Sequence, residues 1–229
     1  MVKVTGSMEL LEAYRDGDRR FKRAQLSAAN LQGVKLKGII LCNAEMEFAR
    51  MELADFREAD LSGADLERAN LNGINLCKAI LKRASLEYAL LSKANLENAN
   101  LANADLSGAT AIGTNFTGVS LWGATLTKVD LDRSNLQRAD FRGATLGFAN
   151  LSRTNLTAAN IERTNLRGAK LEHSILEGAS LRHSDLRGAH LDDTKLSRAD
   201  LTQAVYDDDT HFPQGFDPQA AGMHRFIDA

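Results

Sequence analysis

Residues 89–108 read ALLSK ANLEN ANLAN ADLSG, four successive pentapeptides with leucine at the third position of each. The same register runs without a slip from Phe21 to Leu201, through 37 units. Twenty-nine of these central positions are leucine, four phenylalanine, two methionine and one isoleucine, and Ala111 is the one small residue. Alanine fills 24 of the positions two residues earlier. Such regular self-similarity predicts a solenoid built from one short structural unit.

A period of five fits neither a helix nor a simple strand. The alanine and the central leucine are two residues apart, so an extended segment points both inward, and the polar residue between them points outward. The next two residues must then turn the chain. Twelve of the 17 glycines lie two residues after the central position, which predicts corners with positive φ. Because Arg, Lys and Glu also occupy this position, we expect only some corners to need positive φ.

A second period of 20 residues, which is four pentapeptides, sets the number of corners in each coil. Hydroxyl side chains recur at this longer interval in the inward position: Thr114, Ser134, Thr154, Ser174 and Thr194. Asparagines recur at the same interval in the outward position: Asn75, Asn95, Asn115, Asn135 and Asn155. Coils of four pentapeptides would stack these residues, because coils of a β-solenoid lie about 4.8 Å apart. We therefore predict a four-sided all-β solenoid filled with Leu and Ala, in which each buried hydroxyl has a hydrogen-bond partner.

This repeat resembles that of the pentapeptide-repeat protein family over residues 19–204. The resemblance implies a right-handed quadrilateral β-helix of about nine coils. We expect three parts: an N-terminal tail and capping helix at 1–18, the β-helix at 19–204, and a C-terminal cap at 205–229. Residues 7–16 predict a helix with Ser7 as N-cap and Gly17 as stop. A second short helical cap is expected after Asp217, where proline opens a turn.

The ends of the repeat leave two further points open. Either Met1 or Met8 starts the native chain, and in the second case residues 1–7 are an added segment. The entry into the repeat and the tail after it resemble those of cyanobacterial members.

Ala111 is expected to mark a local packing defect, relieved either by Ile112 turning inward or by Phe116 and Val119 filling the space.

Composition excludes several classes of function. With 28 basic and 30 acidic residues, the net charge of -2 disfavours a protein that binds nucleic acid through phosphate contacts. Cys42 and Cys77 fall on different faces and fit a reducing, cytoplasmic location. The five histidines are expected to be isolated surface residues: His173, His183, His190, His211 and His224. We expect no catalytic, cofactor-binding or metal site, no membrane contact, and a monomer.

The outward columns hold the candidate partner surface. Phe48, Arg68 and Tyr88 recur at the interval of one coil and form one column, which permits a cation–π ladder. Leu90 lies around the corner, and a parallel column holds Glu47, Glu67 and Glu87. Aromatic residues and Arg are typical interface anchors. Trp122 is a second candidate, and scattered surface apolar residues with no function are the simpler alternative.

Three functions remain open at this point. The first is a non-enzymatic interaction, scaffold or regulatory protein that binds a protein partner through the outer faces of the rod. The alternative is a gyrase-interacting, DNA-mimicking protein of the quinolone-resistance type, although such proteins resemble acidic rods and this chain is balanced in charge. An enzyme is the least favoured, because a filled rod offers no cleft.

Overall fold

The computed structural model describes residues 4–227. It contains one helix, α1 (Ser7–Arg15), and two short strands, β1 (Val205–Tyr206) and β2 (His224–Arg225), which pair in parallel. Between α1 and β1 each pentapeptide contributes a single parallel β-bridge to the pentapeptide four units further on, from Arg20↔Ile40 to Asp185↔Val205. Four pentapeptides thus complete one coil, in the register that the sequence predicts.

Each pentapeptide has one backbone N–H that the solenoid itself does not satisfy. In the regular units the other four N–H groups bond to backbone carbonyls, three in adjacent coils and one across the corner. The remaining N–H belongs to the residue after the central position. In the unit around Leu96, the Glu97 N–H donates to Oδ1 of Asn95 at 3.1 Å. The preference for Asp or Asn before the central leucine follows, because these side chains satisfy a donor two residues on.

The predicted asparagine column is present, with bridges joining Asn75, Asn95, Asn115, Asn135 and Asn155 in succession. Its chief role is local, since each Oδ1 accepts the N–H two residues later. The side chains also bond across coils in one place, where Asn115 Nδ2 donates to Asn95 Oδ1 at 3.1 Å.

All 37 corner residues that lie two positions after a central residue have positive φ, between 53° and 70°. Twenty-five of them are not glycine. The expectation that only some corners need positive φ is therefore wrong. At most corners the corner N–H donates to a carbonyl of the following coil, which fixes the same conformation throughout the regular units. Arg, Lys and even Phe therefore accept a backbone region that costs L-residues about 1–2 kcal/mol.

The core is a continuous stack of central Leu residues and inward Ala residues, nearly all fully buried. All five predicted inward hydroxyls are buried as well. Four donate to backbone carbonyls at 2.6–2.8 Å: Thr114 to Leu91, Ser134 to Ala111, Thr154 to Leu151 and Thr194 to Leu171. Ser174 Oγ has no partner, so the expectation of a partner for every hydroxyl is wrong there.

Ala111 does mark a local change, and it lies in the hydrogen bonding. In regular units the central carbonyl accepts the N–H three residues later. Here the Ala111 carbonyl accepts the Ser134 hydroxyl, and the Thr114 N–H donates to that hydroxyl at 3.0 Å. Phe116 is fully buried beside this unit, whereas Ile112 stays partly exposed.

Helix α1 covers the N-terminal end of the stack. Leu10 is fully buried against it, and the Tyr14 hydroxyl donates to the Lys37 carbonyl at 2.8 Å. Ser7 is the first helical residue and Gly6 the N-cap, so the predicted N-cap was wrong by one residue. Met1–Lys3 lie outside the described residues. Val4 is buried, and its carbonyl accepts the Gln25 N–H at 2.9 Å, so it occupies the inward place of a further pentapeptide.

The C-terminal end is covered by β2 and by aromatic packing. The rings of Phe212 and Phe216 stack with centroids 5.2 Å apart, and Tyr206 meets Phe212 edge-on. The expected second helical cap is a hydrogen-bonded turn at 218–222, and residues 4–227 contain no helix after α1. Ile227 is the last described residue of the 205–229 segment.

Gly178→Ala should isolate the cost of the corner conformation. Its φ is +66° and nothing lies within 4 Å of an added Cβ, so only backbone strain changes. We expect a loss of about 1–2 kcal/mol in the free energy of unfolding, measured from urea denaturation. The reverse change, Ala158→Gly at φ 57°, should be neutral or stabilising; destabilisation of both variants alike would contradict this account.

Ser134→Ala should destabilise the coils around Ala111. The substitution leaves the Thr114 N–H and the Ala111 carbonyl without the hydroxyl that both use. A buried donor without a partner costs about 1–3 kcal/mol, which thermal unfolding would detect. Ser174→Ala is the matched control and should cost little, because the Ser174 hydroxyl has no partner to lose. An equal loss in both variants would overturn this assignment.

The carboxylates in the outward position before the central residue should make stability sensitive to acid. The hydrogen bond from Arg142 holds the pKa of Asp140 below its usual value. A lowered folded-state pKa adds stability above the unfolded value of about 3.9, and this is lost as pH falls through the folded value. Asp140→Asn keeps an Oδ1 acceptor, as Asn100 does in the same column. The variant should therefore show a smaller fall in melting temperature than wild type between neutral pH and about pH 2.

Candidate functional site

Side chains at the positive-φ corners lie along the rod toward the following coil. A Cβ added to Gly108 would lie 2.6 Å from Cε1 of Tyr88. The same holds for Gly168, where the added Cβ would be 2.7 Å from the Phe148 ring. Glycine at these two corners therefore gives an aromatic ring of the preceding coil a bare stretch of backbone to pack on. This packing holds exposed rings in place on the surface.

The aromatic corner consists of Phe48, Arg68, Tyr88 and Leu90. The Arg68 guanidinium carbon lies 5.8 Å from the ring centroids of both Phe48 and Tyr88, as the column predicts. Phe48 is 54% exposed, Tyr88 55% and Leu90 41%. Leu90 lies on the adjoining side of the coil, where it forms β-bridges with Asn70 of the preceding coil and Thr110 of the following coil. The structure thus brings these four residues to one region of the rod.

A rim of three glutamates, one from each of three successive coils, runs beside the aromatic corner: Glu47, Glu67 and Glu87. Glu67 Oε1 lies 3.5 Å from Arg68 Nε, and Glu47 accepts a hydrogen bond from the Ser27 hydroxyl. Arg68 is thus held by two rings and one carboxylate. The rim leaves more negative than positive charge around this corner.

Trp122 lies on a different corner and does not join the aromatic corner. It is 52% exposed and stands between two shallow grooves. The first groove includes Lys82 and Arg83, and the second includes Arg142 and Arg163. We call Trp122 and these four residues the Trp122 groove.

The basic character of this second corner was missed in the sequence analysis. Its two outward columns hold seven basic residues and one acidic residue: Lys22, Arg23, Lys82, Arg83, Arg142, Arg163, Arg182 and Glu162. The signal was available, because these residues recur at whole multiples of the coil period, but only grouping both columns of the corner reveals it. Cys42 also lines the groove, where burial and a hydrogen bond with Asp60 raise the pKa of its thiol.

Three titratable side chains meet near the C-terminal end. His190 and His211 form a β-bridge, with ring centroids 4.5 Å apart. Asp192 Oδ2 lies 3.6 Å from His211 Nδ1. The expectation of isolated histidines is wrong for this pair. The cause is one extra residue after Val205, which shifts the register by one and brings His211 beside His190 in place of Thr210.

The acidic run Asp207–Asp209 has a structural role. Asp207 Oδ1 accepts hydrogen bonds from the Gly188 N–H at 2.8 Å and from the Thr210 hydroxyl at 2.9 Å. Asp208 pairs with Arg225 of β2. These contacts fasten the C-terminal segment to the last coils.

Within residues 4–227, no helix has the length and apolar character needed to cross a membrane.

Comparison with known proteins identifies the class. The family model "Pentapeptide repeats" matches residues 20–58, 59–98, 94–133, 134–172 and 164–203. The chain therefore belongs to the pentapeptide-repeat family, whose fold is a right-handed β-helix. A comparison with curated protein sequences gives no match.

Solved structures of the family are similar to this chain. HetL from the cyanobacterium Nostoc sp. strain PCC 7120, described as involved in heterocyst differentiation regulation, is 32% identical over 88% of this chain and 97% of its own, with a TM-score of 0.34. Rfr23 from the cyanobacterium Cyanothece 51142 is 29% identical over 47% of this chain and 66% of its own, with a TM-score of 0.30. QnrB1, a plasmid-mediated fluoroquinolone resistance protein, is 18% identical over 83% and 91%, with a TM-score of 0.34.

Proposed function

We propose that this pentapeptide-repeat protein is a non-enzymatic interaction or scaffold protein that binds a protein partner through the aromatic corner. Pentapeptide-repeat proteins are generally structural or interaction proteins. In architectural detail, we propose a rod of about nine four-sided coils over residues 19–204, with 1–18 and 205–229 covering its ends. A filled rod directs function to its outer columns, because its interior is occupied by Leu and Ala.

The observation that carries the proposal is the half-exposed stack of Phe48, Arg68 and Tyr88. Aromatic residues and Arg are the types that most often dominate binding energy at protein interfaces. Each ring presents a large apolar surface to solvent, and Leu90 extends that surface onto the next side. Exposed apolar residues that cluster in this way mark interaction sites more often than scattered ones do.

The stack is also preorganised for binding. Tyr88 packs on Gly108, and Arg68 is held between two rings and Glu67. The backbone beneath them is fixed by hydrogen bonds to the coils on either side. Side chains that are already ordered lose less conformational entropy on association, so more of the contact energy appears as affinity.

Charge indicates the kind of partner segment. The glutamates beside the stack are alike in charge and stand in adjacent coils, which is mildly unfavourable for folding. A basic segment of a partner would relieve this repulsion and gain complementary contacts at the rim. The Trp122 groove has the opposite charge and is the second place at which a partner is proposed to bind.

A gyrase-directed DNA mimic remains the alternative function. The basic Trp122 corner and the net charge of -2 disfavour it, because a mimic of DNA needs acidic columns along the rod. Inhibition of gyrase supercoiling at sub-micromolar protein would support the alternative.

We further propose a cytoplasmic monomer of cyanobacterial type. The two cysteines are free thiols, as in a reducing compartment.

The test is the triple variant Phe48→Ser, Tyr88→Ser, Leu90→Asn. The intact protein captures its partner from the source organism, and the dissociation constant is then measured with purified components. We expect the melting temperature to stay within a few degrees, because exposed changes cost about 0.5 kcal/mol each. Binding should fall at least tenfold, which corresponds to about 1.4 kcal/mol.

Two variants control for nonspecific effects. Phe148→Ser removes an aromatic residue of the same column that packs on glycine in the same way, but lies three coils away from Tyr88. It should leave binding unchanged. Trp122→Ser tests the second corner. A folded triple variant with unchanged affinity would overturn the assignment to the aromatic corner, and loss of binding in Trp122→Ser alone would move it to the Trp122 groove.

A further inference from the structure

We propose that His190, Asp192 and His211 bind one divalent transition-metal ion, with Zn²⁺ as the best match. Their ligand atoms all lie within 4.8 Å of one another. Two imidazoles and one carboxylate are a typical three-ligand set for zinc, with water completing the coordination. Imidazole ligands select for such ions over Ca²⁺ and Mg²⁺, which prefer oxygen.

The backbone fixes the two imidazoles side by side. The His211 N–H donates to the Ala189 carbonyl at 2.9 Å, and the Leu191 N–H donates to the His211 carbonyl at 2.8 Å. These two bonds clamp the residues on either side of His190 to the neighbouring chain segment. Both histidines hold outward bridge positions, so their rings emerge on the same face of the rod.

Closure around an ion requires only side-chain movement. Zinc–nitrogen bonds of about 2.0–2.1 Å place tetrahedral ligands about 3.4 Å apart, somewhat closer than the present spread. The side chains of His211 and Asp192 are 54% and 51% exposed, so both are free to rotate toward a common centre. Asp192 is a corner residue beside the pair, and its Oδ2 is already 3.6 Å from His211 Nδ1.

Neighbouring charge favours a cation at this place. Glu172 precedes Asp192 by one coil in the same outward column, and Asp193 is next to it in the chain, where it contacts His173 at 3.5 Å. Lys170, one coil before His190, is the opposing charge in the histidine column. Glu172 and Asp193 thus add negative charge beside the proposed ligand Asp192, which favours a divalent cation there.

The consequence is a metal-dependent fastening of the C-terminal segment. His190 belongs to the repeat, whereas His211 belongs to the segment that follows it. An ion shared by the two binds the folded protein in preference to the unfolded chain and therefore raises its stability. The site is separate from the aromatic corner, so it does not depend on the proposed function.

The test is a calorimetric titration of the full chain with ZnCl₂. We expect saturable binding of one ion per chain and a higher melting temperature in ZnCl₂ than in EDTA. His190→Gln and His211→Gln should each weaken binding at least tenfold and abolish the thermal shift, because loss of even an outer-shell partner costs about 10–100-fold. Asp192→Asn, an exposed corner change, should weaken binding without disturbing the bridge.

The chain offers matched controls. His173→Gln removes an exposed histidine that also contacts an aspartate, but has no second imidazole beside it, and it should bind Zn²⁺ like wild type. The Cys42→Ser, Cys77→Ser variant should do the same, which excludes thiolate ligands. Melting in EDTA confirms that each variant folds. Absence of saturable binding up to millimolar Zn²⁺, or affinities of the His190, His211 and Asp192 variants within twofold of wild type, would overturn the proposal.

Discussion

Parallel hydrogen bonding between successive four-sided coils is the constraint on which the rest of this structure depends. In the regular units the central residue donates its N–H to a carbonyl of the following coil, and the outward residue before it donates to a carbonyl of the preceding coil. Once this register is set, every corner must turn in the same way. The uniform positive φ at all 37 corners follows, at a cost to each L-residue that is offset by the bonds and by the buried stack of Leu and Ala.

The same register organises the surface. Residues one coil apart become neighbours at about 4.8 Å, so each column of the rod consists of residues that are 20 positions apart in the sequence. Phe48, Arg68 and Tyr88 form a stack although two full coils of chain separate the first from the last. Lys82, Trp122 and Arg142 share another column on the same principle. The two corners differ in charge, one with a glutamate rim and the other basic, which would allow the rod to present distinct surfaces to distinct partner segments.

The ends of the solenoid need other devices, because their last coils have no neighbour to pair with. At the N-terminal end, Val4 extends the pattern of inward residues and Leu10 of α1 covers the core. At the C-terminal end, Asp207 and the aromatic cluster around Phe212 hold a segment that leaves the repeat. The proposed site at His190 and His211 lies where that segment meets the last coils, so metal binding would act on the least regular part of the fold.

The sequence by itself determined the coil of four pentapeptides, the inward and outward positions and the columns, because a strict period allows only one stacking register. It also determined the neighbourhood of Arg68. The tertiary structure decided the features that depend on local surroundings or on departures from the repeat. Corners with Arg, Lys or Phe take positive φ because inter-coil bonds override their intrinsic preference. Ser174 lacks the partner that Ser134 has, although both occupy one column. His211 meets His190 because a single extra residue shifts the register by one, a change that periodicity cannot place.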